Sequence, residues 1–255
     1  MTVHGPSSRF AYIAGYNVGT TSGTAGVQEF QPGGIERTLD DLTGPMDINP
    51  RLADALFESS PPLAYKLWAD DSFQDFMDAL FSVGESDGAT RSDKVGCWGT
   101  AGDTAEANFT GALLKDAKVK VEEPARMRTK FAVEHQINGA EEPGIILKAR
   151  AAVTADGDTE ASSYDAGAGS SSGGAGYFQC TAITLDTATN LAVTVRDSAD
   201  DITYADLAVF TAITAISGQR AAVSGSVDRY LTAEWDFTGT AGSETATIFV
   251  GFARF

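Results

Sequence analysis

The chain is short of the residues that do chemistry. Its 255 residues include two histidines, His4 and His135, and two cysteines, Cys97 and Cys180. Two cysteines cannot make a disulfide framework, and there is no C-x-x-C pair for a metal or redox centre, so both read as partly buried thiols in a reducing compartment. Two histidines leave little for a zinc site or a histidine-dependent triad. H-E-x-x-H, G-x-x-x-x-G-K-[ST] and a strand-to-helix G-x-G-x-x-G are all absent. Bases are scarce as well: 18 Lys and Arg against 35 Asp and Glu give a net charge of −17, opposite to the basic footprint of a nucleic-acid binder. No apolar run approaches 18 residues, which argues against a membrane-spanning helix. The start, "MTVHGPSSRFAY", has neither the basic nor the apolar region of a secretory signal, so folding in a cytoplasm is expected.

What the chain does have is β pattern. Apolar residues make up 43% and charged residues 21%, a globular composition. "RFAYIAGYNVG" (9–19) reads as one strand, 20–34 as a long Gly-rich loop, and "IERTLDDLTG" (35–44) as strand near its start. Two helices are predicted. In "NPRLADALFES" (49–59), Asn49 and Pro50 make an N-terminal signature. In "SFQDFMDALFSVG" (72–84), Phe73, Phe76, Met77, Leu80 and Phe81 fall at i, i+3, i+4, i+7 and i+8, a packing face for a helix near 72–83 that lies on a sheet.

Residues 85–115 read as polar and irregular. "AKVKVEEPARMRTKFAVEHQING" (117–139) is a hairpin candidate with Pro124 in its turn. Lys118, Lys120 and Glu122 share one face of the first arm; Arg128, Lys130 and Glu134 share a face of the second. That charged face is either solvated or a subunit interface held by charge pairs. "GIILKARAAV" (144–153) follows as a buried strand.

Residues 165–175, Gly-, Ala- and Ser-rich, read as a flexible interdomain linker. Beyond it come six strand-like runs: 176–185, 190–198, 206–215, 219–225, 227–237 and 245–255. In the fifth, Leu231, Ala233, Trp235 and Phe237 face one way. The pattern predicts a mainly β protein in two parts: a β-sandwich or barrel domain over 1–164 with one flanking helix, and a second all-β, immunoglobulin-like sandwich over 176–255.

Nothing in this order makes an active site. "GSSSG" (169–173) satisfies G-x-S-x-G, but inside the linker Ser171 lacks the strand-to-helix turn that activates such a serine. Asp156 with Asp158, and Asp197 with Asp200 and Asp201, have no twelve-residue calcium-loop pattern and sit at turns. No catalytic, metal or cofactor-binding residue is expected, and an enzyme is the least favoured class.

The order of elements in the first half, from "RFAYIAGYNVG" through the helix and hairpin to "GIILKA", resembles the major tail proteins, or tail tube proteins, of long-tailed bacteriophages. The second half carries the more specific match. "GGAGYFQCTAITL", "LAVTVRDSADDITYADLAVFTAITA" and "GQRAAVSGSVDRYLTAEW" are similar, in that order, to the C-terminal sandwich of many such proteins, over about a third of the chain.

The resemblance implies a structural virion protein, assembled in the host bacterial cytoplasm and resident in the phage tail. Six subunits would form a ring whose inner sheets join around a lumen, and the rings would stack into a tube. Its partners would be other copies of itself, the tape measure protein, tail terminator and tail tip proteins, and genomic DNA that passes without specific binding; no membrane and no cofactor are implied. The 117–136 hairpin, with Lys118, Lys120, Glu122, Arg128, Lys130 and Glu134, is the candidate inner sheet. The segments 20–34 and 85–110 are candidates for ring-to-ring contact, and 176–255 would project outward. The alternative is a virion surface module that recognises glycans through its C-terminal sandwich, for which exposed aromatics would be needed; Trp235, alternating with apolar residues, reads as core.

Overall fold

The computed structural model describes residues 10–17, 27–31, 36–41, 52–59, 63–68, 94–99, 103–125, 128–239 and 242–255. They form seventeen strands: β1 (Phe10–Ile13), β2 (Tyr16–Asn17), β3 (Val27–Gln31), β4 (Glu36–Asp41), β5 (Leu52–Ser59), β6 (Leu63–Trp68), β7 (Lys94–Gly99), β8 (Asn108–Ala125), β9 (Arg128–Val153), β10 (Gly157–Asp158), β11 (Tyr164–Asp165), β12 (Gly174–Thr184), β13 (Ala188–Ser198), β14 (Ala205–Val209), β15 (Ser217–Val223), β16 (Tyr230–Gly239) and β17 (Thr245–Arg254). One 3₁₀ turn, Glu160–Ser162, is the only helical element among the described residues. The protein is mainly β.

A large antiparallel sheet runs β15-β12-β17-β9-β8-β7-β1-β2, with β6 added to β9 and β3 to β6. A second sheet runs β10-β16-β13-β14, with β11 also on β16. β4 pairs with β5 apart from both.

The large sheet curls. Its far end returns so that β7 packs against β15, and β1 and β2 against β12. The β9–β17–β12 strip is therefore buried on both faces. One face (Leu147, Phe178, Ile248, Val250, Phe252) packs on Leu191, Val193, Val195, Leu231 and Trp235 of the second sheet. The other (Ile146, Tyr177, Phe249) packs on Phe10, Tyr12 and Phe109, with Phe249 5.2–5.7 Å from the rings of Tyr12, Phe10 and Phe109. A strand buried on both faces needs an unbroken apolar run rather than an alternating one, and "TIFVGFA" in β17 is such a run.

The six runs expected after residue 175 are all strands, and Leu231, Ala233, Trp235 and Phe237 are all buried. Their expected independence as a separate sandwich is not what the strands do. β12 and β17 pair with each other and β17 pairs with β9, so one sheet runs through residues of both halves. The expected flexible linker is also pinned: Tyr164 lies opposite Leu231, Ser170 bridges Val227, and Ala175 is fully buried within β12. Glycine and serine permit a coil, but backbone partners on β16, β15 and β17 decide the matter here.

Other expectations change too. "RFAYIAGYNVG" is two strands around a turn at Ala14 and Gly15, both with positive φ (51° and 85°), the left-handed pair of a tight hairpin turn. The loop at 20–34 contains β3. Where a helix is expected over 49–59, Leu52–Ser59 form strand β5, paired to β4 with a shift of register between Arg37 and Leu39. So short a helix is marginal by itself, and a pairing partner overrides the Asn-Pro start signal. The irregular stretch 85–115 contains β7, whose "KVGCWG" shows no alternation because glycines replace side chains where neighbours press close. A Cβ on Gly99 would lie 2.4 Å from the Phe10 ring. The helix near 72–83, with its packing face Phe73, Phe76, Met77, Leu80 and Phe81, lies outside the described residues.

The curl is locked by one buried polar side chain. Gln179 on β12 accepts the Gly15 N–H at 2.7 Å through Oε1, and its Nε2 donates to the Val95 carbonyl at 2.9 Å. Gly15 is required at this contact, since a Cβ there would meet the Cys180 carbonyl oxygen at 2.6 Å. Gln179→Leu keeps the volume and leaves the buried Gly15 N–H without a partner, while the Val95 carbonyl keeps the Ala14 N–H at 2.9 Å. It should cost about 1–3 kcal/mol, read as a lower urea midpoint at unchanged slope.

Candidate assembly interface

The 117–139 hairpin is present as part of a longer one. β8 and β9 pair from Asn108↔Ile145 to Ala125↔Arg128, so Pro124, expected in the turn, lies within β8 at a shift of register between Glu122 and Ala125. The strand expected at 144–153 is the continuation of β9.

For residues 116–131 the backbone register carries the description. It sets Lys118 opposite Glu134, Glu122 opposite Lys130, Lys120 opposite Ala132 and Arg128 opposite Ala125. Glu134 is exposed, whereas Val133 and His135 beside it are buried. The register thus sets a base opposite an acid twice, Lys118 with Glu134 and Glu122 with Lys130, a pairing that stabilises antiparallel strands.

The sequence did not disclose that this hairpin is extended by two more strands. β6 pairs with β9 (Leu63↔His135 to Trp68↔Lys130), and β3 pairs with β6. The result is a four-stranded antiparallel sheet, β8-β9-β6-β3. In its register Lys66 lies opposite Glu29, a third base–acid match. Among the described residues no strand pairs with the outer edge of β8 beyond Leu114, where β7 ends, or with the outer edge of β3. Among the described residues, two open edges thus flank one sheet.

The other polar clusters are tied up in the fold. Glu142 on β9 takes Arg220 of β15 through two contacts, 2.5 and 3.0 Å, and accepts the Tyr177 hydroxyl. Burial, then Glu142, drives the Tyr177 phenol well above its ordinary range. Asp103 accepts the Tyr12 hydroxyl and the Arg150 N–H. Burial alone would raise Glu244, but the N–H groups of Ala188, Gly242 and Thr187 outweigh it and hold the carboxyl at about 2.

The "RDSADDITYADL" stretch that carries the resemblance builds a turn. Ser198 Oγ accepts the N–H groups of Asp200 and Asp201, Asp200 accepts those of Ile202 and Thr203, and buried Asp197 accepts that of Asp228. Asp156 and Asp158 accept the N–H groups of Phe237 and Glu160. Ser170, next to Ser171, bonds the chain end at the Phe255 carbonyl. Cys97 and Cys180 are fully buried, in the two different cores, and burial pushes the Cys180 thiol up to about 12. Trp98 and Trp235 are buried. Among the described residues no three metal-ligating side chains gather, and no helix is long and apolar enough to cross a membrane.

No protein-family model and no curated protein matches the sequence. Among solved structures, the chain is similar to the Dit protein of SPP1, described as a paradigm of the hub adsorption apparatus in phages infecting Gram-positive hosts. The likeness has a TM-score of 0.33 and 8% identity, and covers 96% of this chain and 99% of that one. It is also similar to the structure of infectious bursal disease virus, Gx strain, with a TM-score of 0.25 and 12% identity, over 98% of this chain and 68% of that one. At such scores the fold rests on its own strands and the function on its own residues.

His135 sits in the four-stranded sheet and gives it a pH signature. Burial lowers its pKa from 6.5 to about 4. Between those values the unfolded chain binds the extra proton and the folded chain does not, so stability falls as pH drops from about 6.5 to about 4. The loss should total about 3 kcal/mol. Urea titrations at stepped pH should show this loss, and His135→Gln should flatten it.

Proposed function

We propose that this protein is a structural subunit of a bacteriophage tail, and more finely a tail tube subunit whose four-stranded sheet β8-β9-β6-β3 lines the tube. The observation that carries the reading is the pair of open edges on that sheet. Exposed edges are a liability in a monomer, and closure into a barrel removes them. Pairing the outer edge of β8 in one subunit with β3 of the next consumes both and repeats around a ring.

The dimensions agree. Six subunits, the number implied by the resemblance, supply roughly twenty-four strands. At about 4.8 Å per strand they enclose a ring about 37 Å across, wider when the strands tilt and wide enough for a DNA duplex. The face carrying Glu134 then lines the bore. Its bases lie opposite acids, so it offers DNA little net attraction, and the −17 charge of the whole chain adds repulsion. The tape measure protein would occupy the bore before DNA does. The polar clusters elsewhere are occupied within the fold, which favours a structural role over a catalytic one. The buried Trp98 and Trp235 give no support to a glycan-binding face.

Negative-stain electron microscopy at rising protein concentration tests the reading. Tubes or rings about 100 Å wide are the expected result, the width of about six domains of this size around a bore. Successive residues of an edge strand send their N–H groups to opposite sides, so of Val119→Pro and Lys120→Pro one removes a donor from the open edge and the other a donor to β9. The variant that keeps wild-type thermal stability should form no tubes. Tubes formed by a stably folded variant at both positions would refute edge-to-edge closure.

A further inference from the structure

The link between the last residue of β9 and the first of β12 is built like a removable cover. From Thr154 to Ser172 no residue is buried. The segment nevertheless runs along the whole outer edge of β16: Gly157 and Asp158 lie opposite Trp235 and Glu234, and Tyr164 and Asp165 opposite Leu231 and Tyr230. It is held by polar contacts at the surface. Asp165 grips Arg229 through two bonds of 2.6 Å with both side chains more than 40% exposed, Glu160 takes Arg196 at 2.8 Å, and Ser163 donates to Asp201. Trp235 Nε1 also donates to the Ala155 carbonyl at 2.9 Å, but the strand beneath has supports of its own. Leu231, Ala233, Trp235 and Phe237 are held in the core between the two sheets, and β13 pairs with β16 along its full length.

We propose that residues 154–172 form a strap that opens as a unit, gated by its surface ion pairs, while the two-sheet core stays folded. Local opening free energies follow buried apolar contact, of which the strap has only the partly buried Tyr164 against the core, and exposed ion pairs weaken as salt screens them. An open strap bares the β16 edge, a row of backbone donors and acceptors of the kind that takes up a strand from another chain.

The geometry supplies an internal control. Ala233 and Phe237 direct their N–H groups to the strap, at Thr159 Oγ1 and Asp156 Oδ1. Alternation sends those of Thr232, Glu234 and Asp236 towards β13. Residue-resolved hydrogen exchange on the full chain separates the two sets. Raising salt from about 0.05 M to about 1 M, or introducing Asp165→Asn, should speed exchange at Ala233 and Phe237 by about tenfold and leave Thr232, Glu234 and Asp236 unchanged. If the two sets accelerate together, opening is global and the strap is not a separate unit. If neither set responds, the ion pairs do not gate it. Either result overturns the proposal.

Discussion

The two-faced burial of β9, β17 and β12 is the constraint from which the rest follows. Because neither face of this strip meets water, it needs a layer on each side. The second sheet supplies one; the returning end of the large sheet, with β1 and β7, supplies the other. The strip therefore fixes how far the sheet curls and where the rings of Phe10, Tyr12 and Phe109 meet Phe249. It also ties the chain's last strand to its first, so the two halves of the sequence share one scaffold.

Such an interior leaves a problem at the seam, where β1 and β2 meet β12 and β15 without a continuous backbone ladder. Gln179 answers it by standing in for backbone groups, and Gly15 by letting the turn come within reach of the Cys180 carbonyl. The Glu142–Arg220–Tyr177 cluster does comparable work at another junction, between β9 and β15. These charged and polar residues are what a search for catalytic groups turns up first. Each holds strands together that are distant in sequence, an energetic role in which an unmet partner is costly.

How much of this was legible in the sequence depended on whether a residue's environment was local. The alternation of Leu231, Ala233, Trp235 and Phe237 reports a strand with one buried face, and it was readable. The runs in β12 and β17 were readable as strands, but their lack of alternation, the sign of burial on both faces, points beyond a separate sandwich. β7 gave little signal because Gly96 and Gly99 yield their space to Leu114 and Phe10, which arrive from elsewhere in the chain. The Asn49-Pro50 start is a local helix signal that pairing with β4 defeated. In the candidate interface, the charge alternation of Lys118, Glu122, Lys130 and Glu134 was visible, whereas the addition of β6 and β3, from 60 to 100 residues upstream, was not.

The same chain treats its sheet edges in two ways. The edge of β16 is covered, by a segment that sets only the partly buried Tyr164 against the core. The edges of β8 and β3 are uncovered among the described residues, although they bound a four-stranded sheet whose register sets bases opposite acids. Covering an edge with a strap needs about twenty residues and leaves the sheet self-sufficient. Leaving two edges open on opposite sides of one sheet makes each the complement of the other in a neighbouring copy, with the register already set by the strands behind them. A heterologous contact of that kind repeats, and it ends when the rotation between copies closes a ring. On the proposed reading the assembly interface continues a ladder that starts at β9 and, among the described residues, has no further partner at either side.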